Sequence, residues 1–397
     1  MTRALCGYPL SVRTAARRCP ECGAEQPDDA ATCSVCGFPM AEMTSPLPPQ
    51  SAPKPAAPVR KQGALTGFLN ALTGENLKKT YITLWEMVKA GTKKYNYEER
   101  TEKMDRIFVC GTPDTTPRLC DIRTDKIVVW AVWYVLLAFY IATFGMEFGY
   151  YILQNRLFIP GMIVYGAFGV PFSCLLLFCE INLFRSIPFY RVLVYFFLGA
   201  FLSLFVALIG FTLIPQAGAG DLLSSLLVGV IEETAKGIIT IVFIIREKRC
   251  RYILDGLLIG AAVGASFGAF ETMGYILVYG LMESSRTGFT IDYILVLRGL
   301  LAPGMHVAWS ALIGGAFMVV RGFGAKSEWS HVASPKFLLP FVTSVVIHGV
   351  WDTDLPLPMI IKNGLLTAVI WTILLYYINL DLKQLEKAKK RAGTVQK

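Results

Sequence analysis

The stretch Leu222–Ile245, LLSSLLVGVIEETAKGIITIVFII, decides the fold, because it is long and apolar enough to cross a bilayer as one helix. Three ionisable residues interrupt it, namely Glu232, Glu233 and Lys236. A charged side chain at the bilayer centre costs roughly 2.5–3.5 kcal/mol, so such residues are rare and usually functional. The stretch therefore predicts a membrane protein with a polar site inside the bilayer.

The composition of the whole chain agrees with this prediction. The 397 residues are 54% hydrophobic, with a mean hydropathy of +0.50, which excludes an ordinary soluble domain. Most of the net charge of +9 lies in two polar segments, Lys78–Lys126 and Lys383–Lys397. Basic flanks of this kind are typical of cytoplasmic segments beside anionic lipids. We expect no nucleic-acid partner, since no basic run alternates with aromatic residues on a separate domain.

The chain divides into five parts by composition. They are a zinc ribbon at 1–40, a Pro-rich linker at 41–66, a basic juxtamembrane region at 67–125, a bundle domain at 126–380 and a basic cytoplasmic tail at 381–397. The proline content of the linker favours an extended polyproline II conformation. Within the juxtamembrane region, Leu77–Tyr97 is a candidate amphipathic helix on the membrane surface.

Four cysteines near the N-terminus have the spacing of a structural zinc site. Cys19, Cys22, Cys33 and Cys36 are arranged as C-x2-C-x10-C-x2-C, with glycine after each pair. Tetrahedral zinc takes four thiolates, and each C-x-x-C turn presents two of them. Such a short unit folds only with its metal, so we predict structural zinc and a reducing, cytoplasmic location.

We predict an all-α fold for the remainder, a polytopic membrane helix bundle of about eight spans. The spans are 126–147, 157–182, 190–214, 221–245, 253–280, 290–320, 337–352 and 356–379. The sixth is long and contains Pro303-Gly304, which predicts a break or kink.

Loop charges predict the orientation of these spans. Lys and Arg are concentrated in the loops 183–191, 246–251 and 321–336, whereas the loops 148–156, 215–220, 281–289 and 353–355 have few or none. This alternation places both termini in the cytoplasm of a plasma-membrane protein. Glu232 then lies about eleven residues, or roughly 16 Å, below the outer face at the helical rise of about 1.5 Å per residue.

Three further apolar stretches carry ionisable groups. Glu271 lies in LLIGAAVGASFGAFETMGYILVYG, His306 in GLLAPGMHVAWSALIGGAFMVV, and His348 with Asp352 in FLLPFVTSVVIHGVWD. Glu271 follows several glycines at spacings that allow close helix packing, and it has no evident partner. Because four segments each carry costly groups, we expect them to converge on one site that opens to the outer face.

The residue types suit the activation of a water molecule. Glu232 and Lys236 share a helix face, which is also compatible with a purely structural ion pair. Asp352, four residues after His348, can orient that imidazole or share a metal with it. A carboxylate would act as base while imidazoles polarise a carbonyl, or zinc held by Glu271, His306 and His348 would activate the water. No serine- or cysteine-nucleophile motif and no H-E-x-x-H motif is present.

Four motifs, taken in their order along the chain, resemble those of the PrsW family of intramembrane proteases, within the wider CAAX-protease and bacteriocin-processing superfamily. They are EETAK at Glu232–Lys236, FGAFE at Phe267–Glu271, HVAWS from His306 and HGVWD at His348–Asp352. The resemblance covers roughly residues 125–380. The CAAX prenyl endopeptidases have histidine where this chain has Glu271.

This resemblance implies hydrolysis of a peptide bond in a membrane-anchored protein near the extracytoplasmic face, with an anti-sigma factor as a possible substrate. Glu232 is then the candidate base, with Glu233 and Lys236 beside it, and Glu271, His306, His348 and Asp352 complete the site. Two other classes remain open from the residues alone. The first is a proton- or ion-coupled transporter, because buried carboxylates and a lysine also mark proton paths, although the two halves of the sequence show no inverted repeat. The second is a non-catalytic scaffold that binds membrane helices.

Overall fold

The computed structural model describes residues 129–215, 220–282, 287–322 and 326–395, with short additional pieces at 17–18, 25–26, 85, 109–111, 115–117, 122 and 127. Side chains of residues 280–290, 300 and 388–395 are not described. The zinc-ligand prediction for Cys19, Cys22, Cys33 and Cys36, the linker, and nearly all of the predicted surface helix Leu77–Tyr97 lie outside these residues.

The described chain is almost entirely helical. Its helices are α1 (Ala131–Tyr151), α2 (Ile159–Ile181), α3 (Phe189–Leu213), α4 (Leu222–Arg246), α5 (Ile253–Tyr275), α6 (Thr287–Leu301), α7 (His306–Arg321), α8 (Pro335–Asp352) and α9 (Met359–Val395). Short 3-10 turns occur at Arg156–Phe158, Ala302–Gly304 and Trp329–Ala333, and a π-helix at Ile276–Met282. Near the N-terminus, β1 (Arg17–Arg18) and β2 (Glu25–Gln26) pair antiparallel, with Arg17 opposite Gln26.

The predicted all-α membrane bundle is confirmed, and the count of eight spans is approximate. Within the described ranges, six segments are long and apolar enough to cross a membrane: Ala131–Tyr151, Arg156–Ile181, Phe189–Leu213, Ile253–Tyr279, Ala302–Arg321 and Met359–Lys387. The two other predicted spans correspond to α4 and α8, which carry the ionisable residues of the EETAK and HGVWD motifs. The predicted sixth span, 290–320, is divided into α6 and α7 by the turn at Ala302–Gly304.

A buried carboxylate fixes the start of the bundle. Glu180, near the end of α2, is only 5% exposed. Its Oε1 accepts hydrogen bonds from the backbone N–H groups of Trp130 and Ala131 at 2.8 and 2.7 Å, and its Oε2 accepts one from Val132 at 3.1 Å. These are the unpaired donors at the first turn of α1, so Glu180 caps that helix from its neighbour.

Helices α5 and α7 pack with their backbones in direct contact. A Cβ atom added at Gly260 or Gly264 would overlap the carbonyl oxygens of Ser310 and His306, respectively. The glycines noted in the sequence therefore permit this approach, as small residues do between membrane helices. The same contact places the start of α7, and with it His306, against the middle of α5.

Candidate active site

Four helices bring the predicted site residues together. Helix α4 contributes Glu232, Glu233 and Lys236, α5 contributes Glu271, α7 contributes His306, and α8 contributes His348 and Asp352. The residues are joined by a continuous set of contacts between 2.6 and 3.9 Å. The convergence expected from the apolar stretches is therefore present in the fold.

Lys236 lies at the centre of the cluster and is fully buried. Its Nζ lies 2.6 Å from Glu233 Oε1 and 3.3 Å from Glu232 Oε2. It also lies 2.8 Å from Nδ1 of His306. An ammonium only donates hydrogen bonds, so Nδ1 of His306 accepts and the proton of that ring is on Nε2.

His348 is held between carboxylates. Its Nδ1 donates to Glu233 Oε1 at 2.9 Å, so Glu233 accepts from both His348 and Lys236. Its Nε2 faces Asp352 Oδ2 at 3.3 Å and Glu232 Oε2 at 3.7 Å. With Nδ1 protonated, a neutral ring would point a lone pair at two carboxylate oxygens, so this space requires a proton or a metal ion.

Glu271 is not unpaired, contrary to the expectation from the sequence. Arg298 of α6 forms a short ion pair with its Oε2, and the same guanidinium donates to Thr272 Oγ1 at 2.9 Å. Nε2 of His306 lies 2.8 Å from Glu271 Oε2, although the angle is not that of a regular hydrogen bond. Glu271 thus connects Arg298 to His306.

Aromatic rings form the walls of the site. The ring of Trp309 stacks on His348 with a centroid distance of 4.3 Å and an interplanar angle of 27°. The Nζ of Lys236 lies 4.2 Å from the ring centroid of Phe267, within the range of a cation–π contact. These rings restrict the imidazole and the ammonium to their observed positions and exclude water from that side.

The first residues before α4 and the end of α8 are tied together by backbone contacts. Gly220 N donates to Asp352 O at 3.3 Å, and Asp354 N donates to Gly220 O at 2.8 Å. Lys362 adds two hydrogen bonds from its Nζ to the carbonyl oxygens of Trp351 and Thr353, at 2.7 and 2.6 Å. Because these groups flank Asp352, they set its position relative to α4.

The cluster is open at one end and closed at the other. Glu233 and Lys236 have no exposed side-chain surface, and Glu232 has 7%. Glu271 and Asp352 retain 15% and 26%. Access to the cluster is therefore past Glu271 and Asp352, beside the ends of α5 and α8.

The residues fit a bound metal ion in two respects. Glu232, His306 and His348 each offer a ligand atom, and these atoms all lie within 4.8 Å of one another. Among the described residues, the four carboxyl groups of Glu232, Glu233, Glu271 and Asp352 lie near three basic side chains, those of Lys236, Arg298 and Lys362. A divalent cation would balance this excess of negative charge in an apolar surrounding. Glu271, the predicted carboxylate ligand, is not in this compact group, which contains Glu232.

Sequence reasoning missed two basic residues of the site, Arg298 and Lys362. Arg298 lies in LRGLLAPGM, inside the predicted sixth span, and a charge within an apolar span was the available signal. Lys362 lies within the predicted eighth span and carried the same signal. His331, which looked incidental in the sequence, lies apart from the site and contacts Glu328 and Phe317.

The two described cysteines outside the spans are poor nucleophiles. Burial raises the pKa of the Cys110 thiol, and it raises the pKa of the Cys250 thiol well above its usual range. A protonated, buried thiol neither attacks a carbonyl nor binds zinc readily. This agrees with the absence of a cysteine-nucleophile motif in the sequence.

Comparisons with known proteins confirm the resemblance. Residues 188–378 match the family described as PrsW family intramembrane metalloprotease, and residues 18–40 match a zinc-ribbon domain. The chain is 26% identical over 205 residues to "Protease PrsW" of Clostridioides difficile (strain 630), an alignment that covers 50% of this chain and 80% of that protein. No solved structure gives a significant match. Residues 188–378 are therefore a membrane-protease domain that matches the PrsW family, and a zinc-ribbon match precedes it.

Proposed function

We propose that this protease uses the seven clustered residues of α4, α5, α7 and α8 to hydrolyse a peptide bond of a membrane-anchored protein. The observation that carries the proposal is the contact of Glu232 Oε2 with two imidazoles, at 3.7 Å from His348 and 3.9 Å from His306. A carboxylate between two histidines, in a site that is open to water at one end only, suits deprotonation of a single attacking water.

Glu232 is a better general base than Glu233. Glu233 has no exposed surface and already accepts from Lys236 and from His348. Glu232 has 7% exposed side-chain surface and a longer contact of 3.3 Å to Lys236. We assign Glu233 and Lys236 to positioning, because their mutual contact of 2.6 Å fixes the helix face from which Glu232 projects.

His306, whose protonated Nε2 has no regular hydrogen bond, supplies a donor for the negative charge that develops on the scissile carbonyl oxygen, and His348 supplies a second donor only when its Nε2 is also protonated. His306 carries its proton on Nε2, which points toward Glu271, and Arg298 holds Glu271 in place. His348 carries a proton on Nδ1 toward Glu233, and Asp352 lies beside its Nε2. Donors fixed in advance in a dry site stabilise an oxyanion at little reorganisation cost.

As the alternative to Glu232 acting as a free base, an active-site metal, most simply zinc, would be held by Nε2 of His348 together with Glu232 and Asp352, whose oxygens lie 3.7 and 3.3 Å from that nitrogen. His306 would join this set only by giving up the contact of its Nδ1 with Lys236. Such an ion lowers the pKa of a bound water and polarises a carbonyl. The arrangement of His348 Nε2 between two carboxylate oxygens supports this choice. A second zinc, with a structural role, would bind Cys19, Cys22, Cys33 and Cys36 within the zinc-ribbon match.

We further propose the cellular setting. Loop charges favour a plasma-membrane protein with both termini in the cytoplasm, the zinc ribbon (1–40) inside the cell and the bundle domain at 126–380. The open end of the site then faces outward, so the cut falls near the extracytoplasmic face. A membrane-anchored regulator such as an anti-sigma factor is the substrate class that the family resemblance suggests.

The test is incubation of the purified protein in liposomes with a library of single-span substrates, followed by mass spectrometry of the products. Glu232→Gln should lose cleavage while inserting and folding normally, since glutamine keeps the shape but cannot accept the proton. Gly364→Leu on the exposed face of α9 is a matched control, because a Cβ there meets nothing within 4 Å. Full cleavage by Glu232→Gln would overturn the assignment of the base.

A further inference from the structure

A groove outside the catalytic cluster opens between α1, α2 and α6. It contains a cavity of about 430 Å³. Its outer wall includes Tyr140, Phe144 and Val296, which are 51%, 69% and 63% exposed. Three glycines also line it, and the side chains of Leu295 and Phe139 lie against Gly166 and Gly169, whereas Gly299 has open space beside it. A groove with aromatic walls and open space at its inner end has the shape of a binding site for an apolar chain.

The groove leads toward the catalytic cluster. Gly166 and Gly299 also line a narrow cleft of about 10 Å³, the space of about one water molecule, whose other walls include Arg298 and His306. Gly299 is buried, yet an added Cβ would meet nothing within 4 Å. A buried glycine beside open space marks the junction between the groove and the cleft.

One end of the groove is acidic. Glu147, one helical turn before the end of α1, lines the cavity. Asp292 of α6 is near enough for the two charges to interact. Tyr151 donates a short hydrogen bond to Asp292 Oδ2, while Asp292 Oδ1 is buried without a hydrogen-bond partner among the described residues. Two adjacent carboxylates and an unpaired oxygen favour a cationic ligand group at this end.

We propose that the groove binds the membrane segment of the protein substrate in extended form. A large apolar side chain beside the scissile bond occupies the cavity at Gly299, and a Lys or Arg at the substrate's membrane boundary pairs with Glu147 and Asp292. The inference rests on the proposed function, because a chain in this groove would run past Arg298 toward Glu271, which lies at the open end of the cluster.

Two observations favour a polypeptide over a lipid acyl chain. The groove ends at the catalytic cluster, where a lipid has no role, and a half-buried carboxylate beside an acyl chain would remain uncompensated. The groove also uses α1 and α2, which precede the family match at 188–378. Substrate selection through this groove would therefore rest partly on residues outside the matched region.

The experiment uses the full chain in liposomes and a single-span substrate carrying Ala, Leu or Phe at each position around the cut. The unaltered protein should prefer Leu or Phe at one position. Gly299→Leu fills the cavity and should lower kcat/KM for the Phe substrate by about tenfold or more, with the Ala substrate little affected. Gly364→Leu, at an exposed glycine with equal space, is the matched control and should behave as the unaltered protein.

A charge exchange tests the acidic end independently of folding effects at Gly299. Glu147→Lys should reduce cleavage of a substrate with Lys at the boundary and increase cleavage of one with Glu there. If Gly299→Leu leaves the preference for Phe unchanged and Glu147→Lys leaves the preference for Lys unchanged, the proposal is wrong.

Cross-linking separates failure of the groove from failure of the proposed function. A photoreactive phenylalanine at Phe144, in the Glu232→Gln background, should cross-link to the Phe substrate without cleavage. Cross-links to phospholipid alone would overturn the groove proposal, even if the unaltered protein is a protease. A substrate cross-link without cleavage by the unaltered protein would support the groove and contradict the proposed reaction.

Discussion

Arg298→Met tests the connection between α6 and the catalytic cluster. The substitution removes the guanidinium that pairs with Glu271 and donates to Thr272 at 2.9 Å, while keeping an unbranched apolar stem. Breaking a buried ion pair costs about 3–5 kcal/mol, because the remaining charge is left uncompensated. Since the two side chains retain 17% and 15% exposure, we expect the lower end, about 3 kcal/mol.

The matched variants are Glu271→Gln and the double variant Arg298→Met/Glu271→Gln. If the pair acts as a unit, the double variant should be more stable than the sum of the single losses, with a coupling free energy of about 2 kcal/mol. Chemical unfolding in detergent micelles, followed by tryptophan fluorescence, measures all four proteins. Additive losses would refute the argument that Arg298 stabilises the carboxylate of Glu271.

If Arg298 positions the site residues, its loss should also change the kinetics of cleavage in a way that a loss of stability alone would not. Without Arg298, Glu271 should no longer fix the orientation of His306, so kcat should fall by about 10–100-fold with KM little changed. Arg298→Lys keeps the charge but not the forked donor geometry, so it should recover stability better than kcat. A selective rise in KM would instead place Arg298 in substrate binding.

The remaining predictions concern the base, the central cation, the helix contact and the metals. Glu232→Gln should lower kcat by about 10²–10⁴-fold in the liposome assay, whereas an unchanged kcat would exclude it as the base. Lys236→Met should destabilise the protein by about 3–5 kcal/mol in the unfolding assay, because two carboxylates lose their common partner. Gly264→Ala should cost about 1–3 kcal/mol through overlap with the His306 carbonyl, and Gly274→Ala, which meets nothing within 4 Å, is its control. The double variant Cys19→Ser/Cys22→Ser should contain one equivalent of zinc less than the unaltered protein, as measured by elemental analysis. In that variant, the chelator 1,10-phenanthroline should stop cleavage, and added zinc should restore it. Undiminished cleavage in the presence of the chelator would exclude an active-site metal.

The sequence predicted the helical class and most of the residues that cluster between α4, α5, α7 and α8 for one physical reason. Ionisable groups are costly in apolar spans, so Glu232, Lys236 and His306 were visible without any knowledge of packing. The break at Pro303-Gly304 was visible for an equally local reason, because proline cannot continue the hydrogen-bond ladder of a helix.

Tertiary contacts were not predictable in the same way. Glu271 looked unpaired because its partner, Arg298, is 27 residues away and lies on a helix that turns back only after the π-helical segment. The preference for Glu232 over Glu271 in the compact ligand group depends on the crossing of α4, α7 and α8, for which the sequence gives no distance. The groove required the relative placement of α1, α2 and α6, whose residues carry no motif.

The positions of the polar groups suggest how such a costly site is kept stable. Three of the charged residues are each held by a partner on another helix: Glu233 by His348, Glu271 by Arg298, and Lys236 by His306. Removing a helix would therefore leave an unpaired charge in its neighbour, so the bundle and the site should unfold together. Glu232 is the exception, since its contacts of 3.3 to 3.9 Å are the longest in the cluster. The carboxylate that is held least tightly is the one with freedom to exchange a proton with water, which is the property required of the base.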